Sequence, residues 1–456
     1  MDRRRFLTIA GAALAAGACA DDSALPDTLD GSVDLPLRPA PSNALVTRWG
    51  LDPFARGSYS YLAVGATPSD REALRSDVGS ELFFAGEATS TDHPSTVHGA
   101  LLEGRAAALR IDAATDGPSS VVVVGGGAAG LAAARSLTDL GHTVVLVEAR
   151  DRLGGRVHTT TLRGTPVDLG ASWVHGVDGN PLTELAEQRG VPLSPFDGES
   201  IIARNSSGAV ESGDALDAAY ERLERLVDDV EPGRSIGSVI EEALDTLTPA
   251  EQRLLRYVVA SEIEHEAAID ASRLDTGFLL EGTGFGGLDA LVPSGYWQML
   301  SQLTSGVDIR TGTVVERIAV DAAEGTTTPV MVEMVRGDAL AADHVLVTVP
   351  LGVLKAETIT FDPPLPDDKV SAIGRLGSGV LDKVVLRFDE PFWDGTAFVG
   401  HIGTEPGRFL EWLNLEPVTG EPIIVGFNVG SIAEQLASRS DQIVVAEAVD
   451  ILHSMY

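Results

Sequence analysis

The sequence predicts an α/β protein in which a doubly wound, Rossmann-like dinucleotide-binding domain is joined to a second, α+β domain. Three observations carry this. Val121–Val124 is a β-branched run too apolar for anything but a buried strand, and it turns through Gly125, Gly127 and Gly130 into an alanine-rich helix. A second apolar run, Thr143–Val147, ends in Glu148, eighteen residues beyond Gly130. The chain has 456 residues, too many for one compact domain, and its 44% hydrophobic content can build more than one core.

Each glycine of the loop has its own reason. Gly125 permits a tight turn, Gly127 lets the backbone approach a pyrophosphate, and Gly130 lets helix and strand pack closely. The helix N-terminus then faces the phosphate charge, and Glu148 can accept hydrogen bonds from ribose hydroxyls. The continuation Arg150, Arg152, Leu153, Gly154, Gly155, Arg156 extends the phosphate-contacting surface beyond what a nicotinamide cofactor needs. This segment resembles the flavin-containing amine oxidases, in which it lies along FAD. The resemblance implies a Rossmann-like FAD-binding domain with Gly125, Gly127, Ala128, Ala129, Gly130, Glu148, Ala149, Arg150, Gly154, Gly155 and Arg156 along the cofactor.

Taken from its start, the chain opens with Arg3, Arg4, Arg5, Phe6 and Leu7 before the short apolar stretch Thr8–Ala18. Residues 1–20 resemble a twin-arginine signal, which implies export of a protein already folded around its cofactor. Cys19, the only cysteine, stands either at a lipid-attachment site or before simple cleavage, and it excludes intrachain disulfides. Residues 21–42, rich in Asp, Pro and Ser without periodicity, read as a disordered tether. The formal net charge is −34 and Lys355, Lys369 and Lys383 are the only lysines, which excludes nucleic acid and anionic membrane as partners. No stretch is long and apolar enough to span a bilayer.

Residues 43–111 contain Arg48-Trp49-Gly50-Leu51-Asp52-Pro53-Phe54, Tyr59, Phe83-Phe84-Ala85-Gly86-Glu87-Ala88-Thr89, and Thr96-Val97-His98-Gly99 followed by a helix from Leu101 to Ile111. They resemble the flavin-binding block that closes the amine oxidases, which places Gly86, Glu87, Thr96 and Val97 at the cofactor. Here that block precedes the glycine loop, joined to it by Asp112–Ser119. The helix Ile443–Tyr456 resembles the one that ordinarily leads into it. The order implied is a circular permutation, the competing reading being a mis-assembled frame. A linker of about eight residues spans at most ~28 Å, so the joined ends must lie close together.

The remaining blocks follow in order: 120–185 as the Rossmann unit, 186–285 as the first part of a substrate domain, 286–355 as a return to the FAD domain, and 356–456 as the second substrate part. Gly170, Ala171, Ser172 and Trp173 match a family segment beside the isoalloxazine, and His175 follows in Trp173-Val174-His175-Gly176, which resembles the polyamine oxidases. Ala215–Val230 patterns as an amphipathic helix. Glu262, Glu264, Glu266 and His265 read either as a solvated face or as an ammonium site. Val307–Val320 alternates like one strand, with Val315 implied near the adenine end of FAD, and Ala342–Lys355 contains a buried strand ending at Pro350.

In Asp382–Phe388, alternation puts Lys383, Val385 and Arg387 on one face and Val384, Leu386 and Phe388 on the other. A lysine in such a strand needs a partner unless it snorkels from an edge. The block resembles the amine oxidase segment whose lysine holds a water against flavin N5. The resemblance then implies a catalytic set of Lys383, Tyr59 against the flavin face, Thr96 where monoamine oxidases carry a second aromatic residue, and His175 on the substrate side. Ser58 stands where some relatives carry a flavin-linking cysteine, implying non-covalent FAD. The activity implied is FAD-dependent oxidation of an amine by dioxygen, with hydrogen peroxide as product, a polyamine-like substrate and no metal. An L-amino-acid oxidase, a carotenoid or porphyrinogen oxidoreductase, and a non-catalytic flavin-binding surface lipoprotein are the alternatives.

Overall fold

A computed structural model describes residues 39–228, 230–321 and 329–456. The signal-like segment, Cys19 and all but the last four residues of the tether lie outside the described residues. Among the described residues no helix is long and apolar enough to cross a membrane.

Five parallel strands form the first sheet, in the order Asp308–Arg310, Thr143–Val147, Ser120–Val124, His344–Val347, Leu82–Phe84. Both faces are covered, as a parallel sheet requires. Val121 and Val123 pack with the helices Val97–Ala113 and Ala128–Asp139, whereas Val122 and Val124 pack against Val315, Ile318, Val330 and Val332 of a four-stranded sheet. The first glycine loop fits its reading: Gly125 adopts φ 113° and a Cβ on Gly130 would lie 1.9 Å from Gly125 O.

The second sheet has six strands, in the order Asn43–Val46, Leu381–Arg387, Ile423–Val429, Glu411–Asn414, Phe398–Ile402, Ile201–Asn205. It is antiparallel except for its last pair. The helices Gly213–Val227, Ile236–Leu244 and Pro249–Val259 build a separate apolar core beside it. The first of these ends three residues short of the patterned Ala215–Val230.

Residues 43–111 belong to both halves. They add an edge strand to each sheet, and their long helix packs so closely on Ala128–Asp139 that a Cβ on Gly104 would lie 2.1 Å from Ala129 O. The junction that follows is fastened by one side chain. His142 Nδ1 lies 3.0 Å from Ser119 Oγ and His142 Nε2 lies 3.1 Å from Asp112 Oδ1, so a buried imidazole ties down both ends of the linker.

Two strand readings are corrected. Val307–Val320 is not one strand, because Gly312 takes φ 64° and turns the chain from Asp308–Arg310 in the parallel sheet to Val315–Val320 in the four-stranded one. Within Ala342–Lys355 the strand ends at Val347, and Pro350, which has no N–H to donate to a ladder, leads into the helix Leu351–Lys355.

Candidate active site

The cofactor cradle is made of backbone. The helix Ala128–Asp139 starts from Gly127 with no side-chain cap, which leaves its first N–H groups for an anion. A Cβ on Gly127 would meet nothing nearer than Gly154 O at 4.0 Å, and one on Gly86 would meet nothing within 4 Å. Gly127 and Gly154 form a parallel bridge and Gly154 N donates to Gly126 O at 2.8 Å, so the second glycine pair is laddered onto the first. Glu148 is buried at the end of its strand. Its carboxylate accepts from Gly126 N at 2.7 Å and Arg150 N at 2.9 Å, which fixes the acid against the loop and leaves lone pairs for hydroxyl donors. Two glycine turns with open space at Gly127, and a fixed carboxylate at the strand end, fit a dinucleotide.

The arginines expected along the cofactor also make bonds within the protein. Arg150 Nη2 donates to Asp52 Oδ1 at 2.6 Å, and Arg156 Nη1 donates to Glu87 Oε1 at 2.8 Å and Ser58 O at 3.0 Å. Both guanidiniums reach into the 43–111 block and hold it to the Rossmann unit. Glu87 is engaged in the same way, accepting also from Ser60 Oγ, Ser60 N and Ser95 N. Burial would raise its carboxyl, yet Arg156 and Ser60 hold it below the ordinary range. Glu87 is therefore a brace between segments, with its oxygens turned to protein. Thr96 likewise caps the helix Val97–Ala113, its Oγ accepting from Gly99 N at 2.9 Å.

Gly170 approaches Arg156 so closely that a Cβ would lie 1.7 Å from Arg156 O, which carries the Gly170-Ala171-Ser172-Trp173 segment beside the second glycine pair. Lys383 meets that segment. The lysine is 3% exposed, and its Nζ donates to Asp168 O at 3.0 Å, Gly170 O at 2.6 Å and Ser172 Oγ at 2.7 Å. Its strand lies between Asn43–Val46 and Ile423–Val429, so the edge alternative is excluded. Burial pushes the ammonium down to about 8, against a restoring pull from Asp168. Asp168, missed in the sequence, is pushed up to about 6 by burial, against Thr159 and Lys383. The rings of Trp173 and Phe427 flank Nζ at 5.8 and 5.9 Å.

Two further residues of the expected site, Tyr59 and His175, are held by neighbours of their own. Tyr59 OH donates to His265 O at 2.7 Å, and burial drives the phenol pKa well up. His175 is half exposed, with Nδ1 3.0 Å from Asp289 Oδ2. Desolvation disfavours the charged ring, but the Asp289 carboxylate raises it above its ordinary value. His93 stacks on Phe285 at 4.8 Å between ring centroids.

The acidic cluster divides. Glu264 is structural, accepting from Ala271 N at 2.8 Å. Glu266 is exposed, and its charge raises the pKa values of both Tyr59 and His175. Glu262 is buried, and burial with the nearby Glu411 charge pushes it up to about 8. Glu411, also missed in the sequence, is held down by His265 and Ser261 against burial; His265 Nδ1 lies 3.1 Å from Glu411 Oε2. The His265 ring contacts Phe427 at 6.2 Å, so this cluster lies one ring away from Lys383.

The family model for flavin containing amine oxidoreductases matches residues 26–112 and 128–456. "Probable polyamine oxidase 4" of Arabidopsis thaliana is 33% identical over 345 residues, covering 71% of this chain and 69% of that protein. "Polyamine oxidase 4" of Oryza sativa subsp. japonica is 34% identical over 360 residues, 74% of this chain and 72% of that protein. "Lysine-specific histone demethylase 1 homolog 3" of Arabidopsis thaliana is 30% identical over 408 residues, 74% of this chain and 25% of that protein. Among solved structures, cyclohexylamine oxidase from Brevibacterium oxydans IH-35A shares the fold at a TM-score of 0.58 and 21% identity, covering 74% of this chain and 80% of that one.

Proposed function

The chain belongs to the flavin-containing amine oxidoreductases, and from that membership we propose that it is an FAD-dependent oxidase. The reaction proposed takes an amine C–N bond to the imine, which water hydrolyses to an aldehyde plus amine or ammonia, and reduces dioxygen to hydrogen peroxide. The observation that carries it is Lys383, buried and triply bonded to the segment beside the cofactor cradle. Bound FAD supplies the acceptor for a hydride equivalent from the substrate α-carbon.

The chain's own residues do the rest. The backbone at Gly125–Gly130 and Gly154–Gly155 holds the pyrophosphate. The Ser58 hydroxyl, which donates to Leu381 O at 2.9 Å, cannot form a thioether, so the cofactor is held without a covalent bond. All three protons of the Lys383 ammonium are used within the protein, so a water facing Lys383 replaces one of those bonds. Tyr59 gives an aromatic wall for the uncharged amine, and its hydroxyl is fixed to His265 O.

A polyamine-like substrate is favoured because Glu266 and Glu411 put negative charge on the substrate side, where a second ammonium is attracted. The same charges repel the carboxylate of an amino acid. A peroxide-coupled screen of mono-, di- and polyamines against L-amino acids, with the flavin spectrum recorded, tests the reading. Peroxide from diamines or polyamines supports it; peroxide only from amino acids, or none from any amine, refutes it.

We propose further that the blocks stand in circularly permuted order, which the shared edge strands and the short fastened linker of residues 43–119 support, and that the protein is exported through its twin-arginine-like segment. Stoichiometric FAD in purified protein of this order tests the first. Loss of export on Arg4→Lys, Arg5→Lys substitution tests the second.

A further inference from the structure

One face of the six-stranded sheet carries Lys383, Phe427 and Glu411 in a row across three neighbouring strands. Lys383 pairs with Phe427, and Trp412 pairs with Gly426, which sets Glu411 beside Phe427. Side chains alternate along a strand, and Val385, Leu413, Val425 and Phe427 share one apolar core, so all three point to that side. At a strand spacing of ~4.8 Å, the backbones of Lys383 and Glu411 stand about 10 Å apart. Facing Glu411 is a π-helical turn, Ala260–Glu264, which runs on through His265–Ala267 to Ala268 at φ 55°. Ser261 Oγ donates to Glu411 Oε1, and His265 Nδ1 lies 3.1 Å from Glu411 Oε2. We propose that Glu411, acting through His265, is the residue that positions Tyr59 against the substrate.

Burial would raise the Glu411 carboxyl, but His265 and Ser261 hold it below the ordinary range, whereas burial and the Glu411 charge push Glu262 up to about 8. Of these two acids, Glu411 therefore carries the charge at neutral pH. A carboxylate only accepts, so His265 Nδ1 is the donor in a charge-assisted bond. His265 Nε2 is buried and has no hydrogen-bond partner among the described residues, so the ring's one hydrogen bond is to Glu411. The carbonyl of the same residue accepts from Tyr59 OH at 2.7 Å. The Tyr59 backbone is held separately, paired with Gly379, so His265 O is what fixes the far end of the ring. The flanks of the turn have bonds of their own, Glu264 accepting from Ala271 N and Ala268 O from Val380 N. Removing Glu411 should therefore loosen His265 without unfolding the turn. One sheet thus sets both sides of the site, directly at Lys383 and through His265 at Tyr59.

This positioning role rests on the amine-oxidising reading, in which Tyr59 is the substrate wall. FAD-loaded wild type, Glu411→Leu, Glu411→Gln, Tyr59→Phe and the double variant of Glu411→Leu with Tyr59→Phe are mixed anaerobically with a saturating amine, the best of the peroxide-coupled screen. Flavin reduction should slow about tenfold in each of Glu411→Leu and Tyr59→Phe, as a shifted wall misplaces the amine. Because both break one chain of contacts, the double variant should be no slower than either alone. Glu411→Gln can still accept from His265 and donate to Ser261, so it should stay within about twofold, its lost charge showing only in KM. Independently of turnover, the Tyr59 fluorine signal of 3-fluorotyrosine-labelled holoenzyme, identified by its loss in Tyr59→Phe, should shift in Glu411→Leu and hold in Glu411→Gln. If Glu411→Leu fails to fold, Glu411→Asp, one methylene short of His265, should show the same slowing and shift. Losses that multiply in the double variant, a Glu411→Gln as slow as Glu411→Leu, or a Tyr59 signal unmoved in Glu411→Leu or Glu411→Asp overturns the role. A wild type that oxidises no amine overturns the oxidase reading, and the fluorine signal then decides alone whether Glu411 places Tyr59.

Discussion

Lys383 Nζ donates to Ser172 Oγ at 2.7 Å across 211 residues of sequence, joining the six-stranded sheet to the segment beside the cofactor cradle. The contact fixes a cation where the two halves meet. Replacing it by Met keeps the apolar stem and removes the charge. We expect Lys383→Met to retain FAD and to slow flavin turnover by about 10²-fold, the scale of a lost electrostatic stabiliser. Stopped-flow reduction and reoxidation read this directly; unchanged rates in both would exclude a role for Lys383.

The charge of Lys383 is set by two opposed effects. Burial brings its pKa down to about 8, and Asp168 pulls it up. The ammonium is therefore lost as pH rises through about 8, and wild-type reoxidation should decline across that range. Asp168→Asn removes the upward pull while Asn can still accept the Tyr296 N–H. Its limb should move to lower pH, and Lys383→Met should have no such limb. A profile of identical midpoint in the wild type and Asp168→Asn would refute the coupling.

What was legible in the sequence was local. The glycine loop, the strand alternation around Lys383 and the long helices follow from periodicities confined to a few turns of chain. Partners were not legible, because they arrive from far away: Asp168, Gly170 and Ser172 for Lys383, Glu411 for His265, and Asp52 and Glu87 for Arg150 and Arg156. Nothing within Arg150–Arg156 distinguishes an arginine that faces phosphate from one that braces a neighbouring block. The break in Val307–Val320 is a subtler case: Gly312 marked it, but the alternation continued on both sides and masked a change of sheet.

Two glycines of one loop should fail differently. A Cβ on Gly130 would lie 1.9 Å from Gly125 O, so Gly130→Ala must push the helix off its strand and should cost at least about 2 kcal/mol of stability. A Cβ on Gly127 meets nothing within the protein nearer than 4.0 Å, so Gly127→Ala should fold and lose only cofactor affinity. Denaturant unfolding of the apoproteins and FAD titration separate the two effects. An unstable Gly127→Ala would show that its role is packing.

Glu87 sets an acid limit on stability. Its folded-state pKa lies below the ordinary value, so it contributes stability that is present above the unfolded pKa and lost as pH falls through the folded one. Glu87→Gln keeps the shape but removes the charge opposite Arg156. The variant should be less stable than wild type at neutral pH, with the difference shrinking in acid. Melting temperatures measured across the acid range would show this, and a pH-independent gap would assign the loss to packing instead.

Each of the chain's three lysines has its ammonium bonded within the protein, Lys369 and Lys383 buried and Lys355 at an exposed position. Lys355 Nζ donates to the carbonyls of Ile373, Gly374 and Leu376, closing the end of the helix Asp367–Arg375. Lys369 Nζ donates to those of Ala73, Leu74 and Ser76 at the end of the helix Pro68–Arg75. Each cation meets the negative end of a helix and satisfies carbonyls that have no partner within it. With Lys383 also enclosed, the folded protein presents no lysine amine with a free donor. An amine-acylating ester applied to the native holoenzyme at pH 8 should therefore spare the buried Lys369 and Lys383 and reach the exposed Lys355 first, although Lys369 and Lys383 are both brought down to about 8 by burial and carry a reactive neutral fraction there. Unfolding in guanidinium chloride should make all three reactive, read by peptide mass mapping. Rapid native labelling of Lys369 would mean that its helix cap opens in solution, and Lys369→Met should then cost little, whereas a closed cap predicts a loss of about 2–4 kcal/mol from three carbonyls left without a donor.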